Sequence, residues 1–77
     1  MQFQVMLDTP EDVKNFVDAA SRCPFEIDLA SGNVYIDAKS MLGVMTMALH
    51  RRMDVVCIDA KENDRIYRSF RKKWAVA

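Results

Sequence analysis

Few side chains in this chain of 77 residues carry nucleophilic or metal-binding chemistry, and they do not stand together. The single histidine, His50, closes an apolar run and precedes Arg51 and Arg52. The two cysteines, Cys23 and Cys57, lie 34 positions apart, with no Cys-x-x-Cys and no neighbouring second ligand. Zinc sites usually need four ligands, so this pattern predicts no metal centre. No set of acid, base and nucleophile can be assembled, so the chain is expected not to be an enzyme and to need no cofactor. Two hydroxyls are better placed. Thr9 precedes Pro10, Glu11 and Asp12, and Ser40 precedes an apolar run over 41–49. Each can cap a helix by accepting a backbone N–H from the first turn. Such a position also exposes unbonded N–H groups and the positive end of the helix dipole to an added phosphate. The chemical question is which of Thr9, Ser40 and His50 takes a phosphoryl group, if any.

The elements that must position these residues follow from periodicity. Phe3, Val5 and Leu7 alternate with Gln2, Gln4 and Met6, the period of a strand with one wet face, predicted over 2–7. Thr9 then caps a helix over 10–22: Pro10 suits the first turn, Asp12 stands three residues after the cap, and Val13, Phe16, Val17 and Ala20 share one face. Cys23-Pro24 ends it. Phe25, Ile27 and Leu29 alternate with Glu26 and Asp28, Ser31-Gly32-Asn33 makes a turn, and Val34 to Asp37 resumes the alternation, which reads as a hairpin. A helix follows Ser40, a fourth strand is predicted over 54–59, and a last helix over 62–74 buries Ile66, Phe70 and Trp74. The order β-α-β-β-α-β-α predicts an α+β domain with helices on one face of an antiparallel sheet. Pattern alone leaves several split βαβ sandwiches open, the ferredoxin-like fold among them.

Residues 38–45, Ala-Lys-Ser-Met-Leu-Gly-Val-Met, join the third strand to the second helix, and they closely resemble the matching segment of HPr, the small phosphocarrier of the bacterial sugar phosphotransferase system. Phe3 to Leu7, Val13 to Ser21, the turn at Gly32-Asn33 and Glu62-Asn63-Asp64 fall in the order that family shows, so the resemblance runs from about Phe3 to Trp74. It implies an open-faced β-sandwich, four antiparallel strands covered by three helices, as one domain over 1–77. HPr proteins open the first helix with a phosphorylatable histidine followed closely by an arginine, whereas that spacing here falls on Thr9 and Glu11. The resemblance therefore implies an HPr-like paralogue without the phosphorylatable histidine, a regulatory or interaction protein. It also implies that Ser40, which matches the serine of a regulatory kinase in Gram-positive relatives, is the modification site, and that Met41 and Leu42 belong to an exposed docking patch.

The residues themselves weigh the three acceptors differently. Thr9 reads as a cap: a threonine phosphoester does not suit onward transfer, and Asp8, Glu11 and Asp12 would repel it. His50, the alternative acceptor of a working phosphocarrier, is expected near the end of the second helix, where a dianion meets the negative end of the dipole. Ser40, with Lys39 adjacent, is a plain N-cap or a regulated one. Met41, Leu42, Met45 and Met47 are core or exposed surface, with docking expected through Met41, Leu42 and Met45 since methionine-rich surfaces adapt to several partners, and Gly43 permits close backbone approach or tight packing. The expected partner is a protein, such as an HPr serine kinase or a catabolite regulator, bound through Lys39, Met41, Leu42, Gly43 and Met45.

Composition bounds these readings. Hydrophobic residues make up 51% and charged residues 29%, an ordinary globular balance. No run approaches the ~18 apolar residues of a membrane span and Met1-Gln2-Phe3-Gln4 does not open a signal peptide, so the cytoplasm is the expected setting. In that setting both thiols are expected reduced, as small apolar residues. Net charge is zero, but residues 1–38 hold seven acidic and two basic side chains and residues 39–77 hold four and nine. Arg65, Arg68, Arg71, Lys72 and Lys73 crowd the last helix, which is expected to be a solvated face in preference to a nucleic-acid patch.

Overall fold

The computed structural model describes residues 1–76. Along the chain run β1 (Gln2–Met6), α1 (Pro10–Ser21), β2 (Glu26–Ser31), β3 (Val34–Asp37), α2 (Met41–Met47), β4 (Arg52–Ile58), a single 3-10 turn (Ala60–Asn63) and α3 (Asp64–Trp74). The strands form one antiparallel sheet in the order β1-β4-β2-β3. This is the predicted α+β order, with three helices over one face and the other face open.

Alternation fixes which side chains turn inward. Phe3 and Val5 of β1, Ile27 and Leu29 of β2, and Met53, Val55 and Cys57 of β4 are buried, with Val13, Phe16, Val17 and Ala20 of α1 packed over them. The register sets Phe3 and Leu29 on either side of Val55, so one apolar row crosses three strands. The hairpin turn places Gly32 at φ +59, in the left-handed region that glycine occupies without steric cost. The open face is mixed: Gln2, Gln4, Glu26, Asp28, Asp37 and Asp54 alternate with the core residues, Asp28 lies directly across from Asp37, and Met6, Tyr35 and Ile58 are exposed on the same side. The β1 side of the sheet is tied to both ends of the described chain, since the Cys57 N–H of β4 donates to the Met1 carbonyl and the Val76 N–H to that of Gln4 in β1.

Two predicted elements need correction. β4 begins at Arg52, two residues before the expected 54, because Met53 keeps the inward phase of Val55 and Cys57. The last helix begins at Asp64, not 62; the preceding residues make the 3-10 turn after Asp59, whose φ of 55 breaks the chain direction. Its buried stripe is Tyr67, Phe70 and the half-buried Trp74, while Ile66 is 43% exposed. A four-residue spacing advances roughly 40° per step around a helix, and the three-then-four spacing of 67, 70 and 74 holds the sheet-facing line better than 66, 70 and 74. The Phe16 ring packs against Phe70 at 5.5 Å and edge-on to Trp74 at 5.2 Å, which seats α3 on α1.

Candidate functional site

The start of α1 is closed by its own side chains. The Asp12 N–H donates to Thr9 Oγ1 (3.0 Å), and Asp12 Oδ2 accepts from the N–H groups of both Asp8 and Thr9 (3.2 Å each). This is the complete capping box that Thr9 and Asp12 predict. The Val13 N–H bonds the Thr9 carbonyl and Pro10 has no N–H, so only that of Glu11 is left from the first turn. An incoming phosphate would find that single donor, with the carboxylates of Asp8, Glu11 and Asp12 around it.

The start of α2 is built differently. Asp37 shapes the approach: its carboxylate accepts from the Lys39 N–H (2.9 Å) and its carbonyl from the Ser40 N–H (3.0 Å). Ser40 Oγ then accepts a longer bond from the Gly43 N–H, 3.3 Å, and its carbonyl takes the Val44 N–H. Ser40 is half-buried. Lys39 Nζ does not point to the cap hydroxyl; it donates to the Cys23 carbonyl (3.0 Å), strapping α2's approach to the end of α1. A Cβ on Gly43 would lie 3.0 Å from Ile36 Cγ2 and 3.3 Å from Ser40 Oγ, so glycine here serves close packing of α2 on β3.

Beyond the cap, α2 buries only Val44 and turns most of its apolar side chains to solvent. Leu42 is 76% exposed, and Met41 and Met47 are about two-fifths exposed. Met45 is half-buried and packs against the core, unlike its expected neighbours in the patch, while Met47 is exposed. The sequence places Met47 in the same apolar run but not among the docking residues, because at five residues from Leu42 it lies about 140° further round the helix.

His50 lies further from α2 than expected. The helix ends at Met47 with Ala48 as its cap, and His50 stands beyond it in a left-handed conformation, φ 63. Its N–H donates to the Leu7 carbonyl (2.8 Å), and Leu7 and Leu49 form an isolated bridge. The structure therefore brings His50 beside the segment leading into α1, two residues from Thr9, which no local sequence signal reveals. The neighbouring guanidiniums reach elsewhere, Arg51 to the Met47 carbonyl and Arg52 to the Gln4 side chain.

Cys23 and Cys57 are free and buried. Burial pushes both thiols up, Cys57 to about 11, so neither is a thiolate at neutral pH. No group of three metal-ligating side chains occurs among the described residues.

No protein-family model matches the chain, and no curated protein matches it by sequence. Solved structures do. The chain superposes on HPr-C-His from Thermoanaerobacter tengcongensis with a TM-score of 0.69 at 18% identity, covering 94% of this chain and 85% of that one. It superposes on the phosphocarrier protein HPr from Bacillus anthracis str. Ames with a TM-score of 0.67 at 17% identity, covering 96% and 95%. The fold is thus HPr-like, a four-stranded open sheet under three helices.

Proposed function

We propose that this chain is a non-catalytic, HPr-like interaction protein related to the sugar phosphotransferase system, which docks a protein partner through α2 and is controlled by phosphorylation at Ser40. The observation that carries the reading is the closed start of α1. A carrier needs an imidazole at a helix N-terminus with free donors; Thr9 stands there instead, with only the Glu11 N–H left free and no arginine in the first turn. The apolar surface of Met41 and Leu42 supports docking, since an exposed methionine-bearing patch adapts to a partner groove. Lys39 and Gly43 hold that surface in place, and Met45 anchors its underside.

Ser40 phosphorylation adds about −1.5 to −2 charge beside that patch and replaces the hydroxyl that Gly43 bonds, so one event changes both the cap and the surface. The partner is a catabolite regulator or the kinase itself, in a cytoplasmic setting; no helix among the described residues is long and apolar enough to cross a membrane. The test is incubation with an HPr serine kinase and ATP, followed by binding to a catabolite regulator of wild type, Ser40→Asp and Met41→Glu. One phosphate on Ser40 and loss of binding by Met41→Glu with the fold intact is the expected result. A kinase that ignores Ser40, together with undiminished binding by Met41→Glu, overturns the reading.

One observation favours a second reading. The bond from the His50 N–H to the Leu7 carbonyl sets the sole histidine beside the α1 start, so a phosphocarrier would use His50 from outside the helix. His50→Asn separates the two, because asparagine tolerates the left-handed backbone.

A further inference from the structure

An open cleft of about 430 Å³ lies between the C-terminal end of α1 and α3, away from both helix starts discussed above. Its apolar surface comes from Ile66, Phe70 and Trp74, and three cations, Arg22, Arg65 and Lys73, border it with no carboxylate in the lining. None of the three forms an ion pair with a carboxylate of the described residues; the neighbouring Arg68 does, with Asp64 at 2.8 Å.

Two of these cations have an ordinary explanation. Arg22 caps the end of α1 and Lys73 lies in the last turn of α3, where positive charge complements the helix dipole. Arg65 does not. It is the second residue of α3, at the positive end of that dipole, and it faces the same cleft as the other two. The apolar side is also poorly covered: Ile66 is exposed, and the Trp74 Nε1 is buried without an acceptor, an uncommon state for an indole. Lys73 Nζ stands 5.8 Å from the Trp74 ring centroid, so charge and aromatic surface adjoin within one helical turn. Ser69 adds a hydroxyl to the wall.

We infer that this cleft binds an amphipathic organic anion, its apolar body against Ile66, Phe70 and Trp74 and its carboxylate or phosphate head among Arg22, Arg65 and Lys73. The volume suits a small molecule, and a few convergent polar groups beside an apolar surface are the usual composition of such sites. A long nucleic acid would need an extended basic track with exposed stacking platforms, which a short cleft with a buried Phe70 and a half-buried Trp74 does not provide.

Trp74 is the only tryptophan, so its fluorescence reports the cleft directly. The probes are octanoate, octyl phosphate, 1-octanol and inorganic phosphate, titrated against the full chain, with amide NMR shifts to locate the site. Octanoate or octyl phosphate is expected to give a saturable change in Trp74 emission and to move signals of Ala19, Ile66 and Phe70, with 1-octanol and inorganic phosphate at least tenfold weaker. Which of the two anions binds tighter identifies the head group. Arg65→Gln and Arg22→Gln should each weaken binding several-fold and together at least tenfold, with an unchanged denaturant midpoint. The inference is overturned if neither anion binds saturably, if 1-octanol binds equally well, if the double variant binds like wild type, or if the shifts fall on α2. Binding to anionic phospholipid vesicles without binding to octyl phosphate, or concentration-dependent shifts of the same signals from self-association, would also overturn it.

Discussion

The starts of α1 and α2 use the same device, a hydroxyl cap, and reach opposite ends. At α1, Thr9 and Asp12 exchange hydrogen bonds and leave only the Glu11 N–H of the first turn free, at a polar and acidic helix end. At α2, the Ser40 cap is single and longer, no carboxylate stands in the first turn, and the residues after it are Met41 and Leu42, both exposed. A cap secures a helix; what surrounds it decides whether that helix end is also a surface for chemistry or for partners. The closed end argues against phosphate, and the open one argues for contact.

The difference can be broken from the α2 side first. Gly43→Val would drive a side chain into Ile36 and the Ser40 cap, and a loss of about 1–3 kcal/mol is expected from denaturant unfolding. A neutral result would mean that α2 shifts freely on β3 and that its exposed face is not held in one geometry. At α1, Thr9→Ala should cost about 0.5–2 kcal/mol while Thr9→Asp stays near neutral, because aspartate caps as well. If Thr9→Ala were neutral and Gly43→Val costly, the capping box would not be what closes α1.

A third measurement addresses the core beneath both helices. Cys57 is held near 11 in the fold against an ordinary value of 9.0, so the unfolded chain loses its thiol proton first as pH rises. Stability from this group is complete below pH 9 and declines as pH climbs towards 11, with Cys23 adding to the same slope. Cys57→Ala should flatten the alkaline decline of the denaturant midpoint. The smallest expected effect is Leu42→Glu, within about 0.5 kcal/mol of wild type, because the side chain it replaces is already in water. A larger loss would place Leu42 in the core and remove the contrast between the two helix starts.

Much of this was legible in the sequence where the signal is local. The alternation in β1, the hairpin with Gly32 at its turn, and the Thr9 to Asp12 box each depend on a few adjacent residues, and each is present in the fold. Tyr67 was displaced by Ile66 in the predicted stripe because an aromatic hydroxyl reads as less apolar than isoleucine, while packing on Phe3 at 6.1 Å rewards the ring. β4 lost its first two residues because Arg52 looks like loop until Met53 is seen to keep phase with Val55. His50 beside Leu7 and the cleft between α1 and α3 are contacts between segments distant in sequence, which no window can contain. Within the candidate docking face, the sequence marks Met41 and Leu42 but not that Met45 turns under the helix, since the helix is apolar nearly all round and periodicity has no polar side to anchor it.

Phosphotransfer itself tests the contrast between the helix starts most directly. The protein is incubated with phosphoenolpyruvate and the general phosphotransferase enzyme, and its intact mass is taken without acid exposure, beside His50→Asn. The account predicts an unmodified chain in both cases. An acid-labile phosphate on wild type that disappears in His50→Asn would contradict it and make the chain a carrier.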